Sequence, residues 1–168
     1  MSVEIIATPG ASDANSYATL DQANAYMNTC LYISDWDNAT DTNKKRALIS
    51  ATRIIDEQMD WDGKIASDTQ SLKVPRTQWY NQDNVKIDDS SIPQFLVNAT
   101  SEFAKWLLKS DRTAEPDTLG IKRIKADVLE MEVDRLDRPN VIPEYVAQML
   151  SDYGTLSAYD NSVVRGGK

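Results

Sequence analysis

The chain has 168 residues, with 18 Lys plus Arg against 26 Asp plus Glu, a formal net charge of −8 and no histidine. That length lets one domain bury a core without disulfides or metals, and a composition of 41% hydrophobic and 26% charged residues is globular rather than disordered. The acidity argues against tight, general DNA binding, which draws on Lys and Arg to displace counterions, and the missing histidine removes the commonest general base, the Ser–His and Cys–His nucleophile pairs and the usual zinc ligands.

Cys30 is the single cysteine, so neither an intramolecular disulfide nor a thiolate-rich metal site is expected. The N-terminus, Met1 to Ile6, has neither a basic region nor a long apolar stretch, and no apolar run approaches a membrane span. A soluble protein made in a cytoplasm is expected.

In chain order, residues 1–16 carry Pro9-Gly10 and small polar residues and read as an extended arm. Thr19-Leu20-Asp21-Gln22 is a capping box, opening a helix with Leu20, Ala23, Tyr26, Met27 and Cys30 on one face. Thr40 or Asp41 caps a second helix, whose Leu48, Ala51, Ile55 and Met59 recur at spacings of three and four until Asp62-Gly63 stops it. Residues 64–91 are loop-rich. Ile92-Pro93-Gln94-Phe95-Leu96 and Ile142-Pro143-Glu144-Tyr145-Val146 each place a proline where a missing N–H costs nothing, at the start of a helix. The first of these carries Leu96, Ala99, Phe103, Trp106 and Leu107 and is expected to be the core helix; the second presents Val146, Met149 and Leu150 and ends at Gly154.

Between them, Leu129, Met131 and Val133 alternate with Glu130, Glu132 and Asp134, the pattern of a half-exposed strand, with Ile121 to Lys125 as its hairpin partner. The expected fold is mainly α: a bundle of about four helices with a β-hairpin inserted before the C-terminal helix, and extended arms at both ends. The expected division is an arm over 1–16, a helical domain over 17–153 with its hairpin near 121–134, and a C-terminal arm over 154–168.

Few residues suggest chemistry. Asp35-Trp36-Asp37 and Asp60-Trp61-Asp62-Gly63 resemble calcium loops, but with Gly63 in the sixth position the first would be Gln58 and the twelfth Thr69, and neither suits. Each Trp is better read as buried, with its Asp neighbours in water. Glu130 and Glu132 share a strand face, which alternation explains without acid–base catalysis. There is no phosphate-binding glycine loop, dinucleotide fingerprint or serine elbow, so no enzyme, catalytic residue, cofactor or metal is expected. The basic concentrations are Lys44-Lys45-Arg46 with Arg53, read as a solvated helix face, and Lys122, Arg123 and Lys125 on the hairpin. Trp79-Tyr80 could stack on a base or anchor a loop.

The order of these features resembles a family of tailed-phage head–tail connector, or adaptor, proteins, some of whose members carry the label of DnaT-like single-strand DNA-binding proteins. The resemblance runs from Ser16 to Tyr153 through Ser16-Tyr17-Ala18-Thr19-Leu20, Leu48 to Asp56, Trp61-Asp62-Gly63-Lys64, Val74-Pro75-Arg76, Ile92-Pro93 and Ile142-Pro143. It departs where Val74 replaces an aromatic and where Thr77-Gln78 replaces a glycine soon after Pro-Arg. It implies a virion structural protein that closes by heterologous contacts into a ring of about twelve copies beneath the portal. The ring would extend the channel for genomic double-stranded DNA, which passes without specific binding, and would carry the neck or tail-completion protein. The implied location is the virion neck, after assembly in the host cytoplasm, with no membrane partner. On that resemblance Tyr153, Leu156, Tyr159, Val163, Val164 and Arg165 would dock on the portal. Arg76, Lys122, Arg123, Lys125, Glu130 and Glu132 would meet neighbouring subunits. The alternative is a single-stranded DNA-binding replication accessory protein, with Lys122, Arg123, Lys125, Trp79 and Tyr80 as its contact set.

Overall fold

A computed structural model describes residues 3–114, 123–126, 129–132 and 140–157. The protein is mainly helical, with small antiparallel sheets. Helix α1 spans Leu20–Met27, and its expected capping box forms: Gln22 N–H donates to Thr19 Oγ1 at 3.1 Å and Thr19 N–H to Gln22 Oε1 at 2.9 Å. A single turn, α2 (Ser34–Asp37), buries Trp36 and leaves Asp35 and Asp37 exposed. Helix α3 (Asp41–Gln58) is capped by Thr40, whose hydroxyl accepts from Asn43 N–H at 3.3 Å.

Helix α3 ends earlier than its apolar pattern suggests. Met59 turns to extended backbone and opens strand β1 (Met59–Trp61), so Gly63, expected to stop the helix, instead turns the chain from β1 into strand β2 (Lys64–Ile65). Gly63 has φ +73°, and a Cβ there would stand 2.6 Å from the Thr77 carbonyl oxygen, so both backbone conformation and space require glycine. Strand β2 pairs with β3 (Arg76–Thr77) in the register Lys64 to Thr77 and Ile65 to Arg76.

Helix α4 (Gln94–Lys109) is the core helix the sequence indicates. It buries Leu96, Val97, Ala99, Phe103 and Ala104 and packs against α1, α2, α3 and α5 (Glu144–Leu150). Pro93 and Pro143 occupy the cap positions just before α4 and α5. Strands β4 (Arg123–Ala126) and β5 (Leu129–Glu132) form the expected hairpin.

Two expected arms differ from what forms. From Val3 onward the N-terminal segment is folded back rather than extended: Asn15 N–H donates to the Ile6 carbonyl at 2.9 Å, and Asn15 Oδ1 accepts from Ile6 N–H at 2.9 Å. Ser71 Oγ ties it to the body by donating to the Ala14 carbonyl at 2.6 Å. After α5 the chain does not leave at Gly154. Gly154–Leu156 is strand β6, antiparallel to β1, with Met59 opposite Leu156 and Trp61 opposite Gly154. Local periodicity could not show this, because the two strands lie far apart in the sequence.

Candidate nucleic-acid interface

The Trp79-Tyr80 pair is the aromatic contact expected of the single-strand alternative. Its first residue points inward. Trp79 is 0% exposed and meets Trp61, Phe95 and Tyr153 edge-on, with ring centroids 5.7, 5.7 and 6.0 Å away. Its indole N–H donates to the Tyr153 carbonyl at 3.1 Å. A side chain so enclosed cannot stack on a base without unfolding its surroundings, so Trp79 leaves the expected contact set.

Tyr80 is half exposed and bridges to Lys86. The loop around it disfavours phosphate. Lys86 Nζ is paired with Asp89 at 2.9 Å, which holds the ammonium above its ordinary pKa. Asp88 accepts from the Ser91 and Ser90 hydroxyls and the Ser90 N–H, and these bonds hold its carboxyl below the usual range. With Asp83 nearby in sequence, the loop offers one cation, already paired, among three acids.

Arg76 is a clamp on backbone. Its guanidinium donates to the carbonyls of Asp62 at 2.6 Å, Gly63 at 2.9 Å and Lys73 at 3.2 Å, bracing the β1–β2 turn, so this geometry supplies a folding role for it. On the hairpin, the backbone register sets Arg123 opposite Glu132 and Lys125 opposite Glu130. Lys122 lies outside the described residues. So do Tyr159, Val163, Val164 and Arg165. The other two residues expected to dock outward lie against the body: Tyr153 stacks on Phe95, centroids 3.5 Å apart and planes 5° from parallel, and Leu156 pairs with Met59.

The outer face of α3 differs from these sites. Leu48, Ala51, Thr52, Ile54 and Ile55 face the core, and Arg46, Ile49 and Arg53, spaced three and four apart, fall on the opposite side with Lys45 beside them. Among the described residues the ion pairs are Lys86 with Asp89 and Lys105 with Glu102; Lys45, Arg46 and Arg53 are in neither. Lys44, in contrast, lies over the Trp36 ring, 5.4 Å from its centroid. Arg53 lines a groove together with Asn15, Ile49, Asp56, Glu57, Ser71, Leu72 and Lys73. Asp56 is turned to internal partners there: its carboxylate accepts from the Tyr17 hydroxyl and from Lys73 N–H at 3.1 Å. Burial raises the Asp56 carboxyl above its ordinary pKa against the opposing pull of these bonds, and burial followed by the neighbouring Asp56 charge raises the Tyr17 phenol well above its own. The sequence signal for this face was the Arg46–Arg53 spacing, which composition alone reads as a solvated helix side.

A second cation group surrounds Trp106, where Lys109 Nζ and the Arg112 guanidinium lie 5.8 and 5.6 Å from the ring centroid. These cations have structural roles already. Lys109 sits in the last turn of α4, where the helix dipole favours it, and Arg112 donates to the carbonyls of Val141 and Asn140 at 2.7 and 2.6 Å. Among the described residues, no group of three or more His, Cys, Asp or Glu is placed to hold a metal.

Over residues 1–166 the chain matches the family described as "Putative DnaT-like ssDNA binding protein". No curated protein and no solved structure matches it significantly. The family match overturns the head–tail connector expectation and the virion role drawn from it, and agrees with the single-strand alternative instead. The order of helices, hairpin and Pro-Arg loop reports a fold, and one fold serves unrelated functions. The ring, portal, neck and virion location were implications of that resemblance alone.

Proposed function

The chain belongs to the DnaT-like ssDNA binding protein family, and on that premise we propose that it binds single-stranded DNA as a non-enzymatic accessory protein in replication. The observation that carries this reading is the family match over nearly the whole chain, residues 1–166. The net charge of −8 shapes how such binding works. An acidic body repels the phosphate backbone at long range, so attachment comes from a local group of cations at short range, and screening affects the two in opposite senses. Affinity is therefore modest, and its net fall with salt is shallower than that of a basic, general binder.

The test is fluorescence anisotropy of a labelled oligothymidylate titrated with the full chain at low and at moderate salt. A saturable rise that weakens as salt increases supports the reading. A flat signal at low salt, with protein well into the micromolar range of non-specific binding, overturns it.

A further inference from the structure

We infer that the outer face of α3 is the single-strand contact surface, with phosphates on Lys45, Arg46 and Arg53 and a base laid over Ile49 and Leu72 in the adjoining groove. This rests on the single-strand reading and adds to it the place of contact, which differs from the Trp79–Tyr80 segment and from the hairpin.

Three observations converge on it. The first is charge: in a chain with 26 acids and 18 cations, exposed Arg46 and Arg53, with half-buried Lys45 beside them, lie on the outer side of α3 with no carboxylate partner among the described residues, Arg46 donating only to Asn43 Oδ1 at 3.5 Å. Lys86, Lys105, Lys109, Arg76 and Arg112 are each engaged with an acid, a ring or backbone carbonyls. The second is spacing. Seven helical residues from Arg46 to Arg53 span about 10 Å along the axis, so the two guanidiniums can follow a strand rather than grip one phosphate. The third is the groove, where half-buried Ile49 and Leu72 offer an apolar surface beside Arg53. Cations that track the backbone next to a surface that receives bases are the two parts of a sequence-tolerant single-strand site.

The same face contains its own limit. Exposed Glu57 lies one turn beyond Arg53 and lines the groove, where it repels a phosphate. Asp56 is held inward by Tyr17 and Lys73 and so does less. The strand therefore crosses the Arg53 end of α3 obliquely toward Leu72 instead of continuing along the helix.

The experiment uses the full chain and an oligothymidylate of about 20 nucleotides, longer than the footprint of one binding module. Arg46→Gln with Arg53→Gln should weaken binding at least about tenfold and reduce the log–log salt slope by about 1.4, the share of two phosphates on a single strand. Glu57→Gln should tighten binding, and Lys86→Gln should leave it unchanged. In wild-type protein, the oligonucleotide should shield Lys45 from acetylation and leave Lys86 reactive, a readout that needs no variant to fold. If the wild type binds while the double variant, shown folded by its melting curve, binds equally well, or if Lys45 stays reactive in the complex, this surface is wrong and the single-strand reading stands. If the wild type does not bind at all, both fall together.

Discussion

The indole N–H of Trp79 donates to the carbonyl of Tyr153 across a sequence separation of 74 residues, and the same carbonyl accepts from Asp62 N–H, each at 3.1 Å. The loop after β3, the β1–β2 turn and the chain between α5 and β6 thus meet at one oxygen. Tyr153 also stacks flat on Phe95 of α4, which ties this junction to the core helix.

Trp79 is accordingly a stability residue. Trp79→Ala should cost about 3–5 kcal/mol in a urea titration, while the fraction that remains folded keeps its affinity for oligothymidylate. Loss of DNA binding by folded Trp79→Ala protein would return Trp79 to the contact set.

Arg76→Lys tests the clamp. An ammonium is a point charge and cannot reach the carbonyls of Asp62, Gly63 and Lys73 together as the planar fork does. The substitution should lower stability by about 1–2 kcal/mol with no change in net charge. An unchanged melting temperature would mean that the three bonds contribute nothing in water.

Gly154→Ala should separate β6 from β1. A Cβ at that position would lie 2.5 Å from the Asp60 carbonyl oxygen and 2.9 Å from the Trp61 Cα, both backbone atoms that cannot swing aside. A destabilisation of about 1–3 kcal/mol is expected for such overpacking. Faster amide exchange at Met59 and Trp61, which hold the opposite strand, should accompany it.

The burial of Asp56 predicts an inverted pH response. Burial raises Asp56 in the folded protein, so the folded chain holds this proton to higher pH than the unfolded chain does. The stabilisation from that proton is complete below the ordinary carboxylate range and is lost as pH rises through the folded Asp56 value. Asp88, held below its ordinary value, acts in the opposite sense: its contribution is present above the unfolded value and is lost as pH falls through the folded one. Tyr17→Phe removes a donor that lowers Asp56, so an NMR titration of that carboxyl should move further upward. At neutral pH the same change should cost about 1–3 kcal/mol, and less as acid protonates Asp56. A titration that moved downward would contradict the geometry.

Short-range signals are legible in the sequence. The Thr19–Gln22 box, the Thr40 cap, the two prolines before α4 and α5 and the apolar spacing of α4 fix where helices begin and which helix is central, because caps and periodicity act within one or two turns. The alternation at residues 129–132 likewise marks a strand before its partner is known. The remaining features arise from contacts between distant parts of the chain. Strands β1 and β6 have three residues each and become strands through each other. Trp79 and Tyr80 are adjacent aromatics, yet one is enclosed by Trp61, Phe95 and Tyr153 and the other is half exposed, a choice no local pattern encodes. The cations of α3 were visible as a spacing, but whether they were paired depended on where the acids of other elements came to lie. Charge acts through space, and only the folded chain sets those distances.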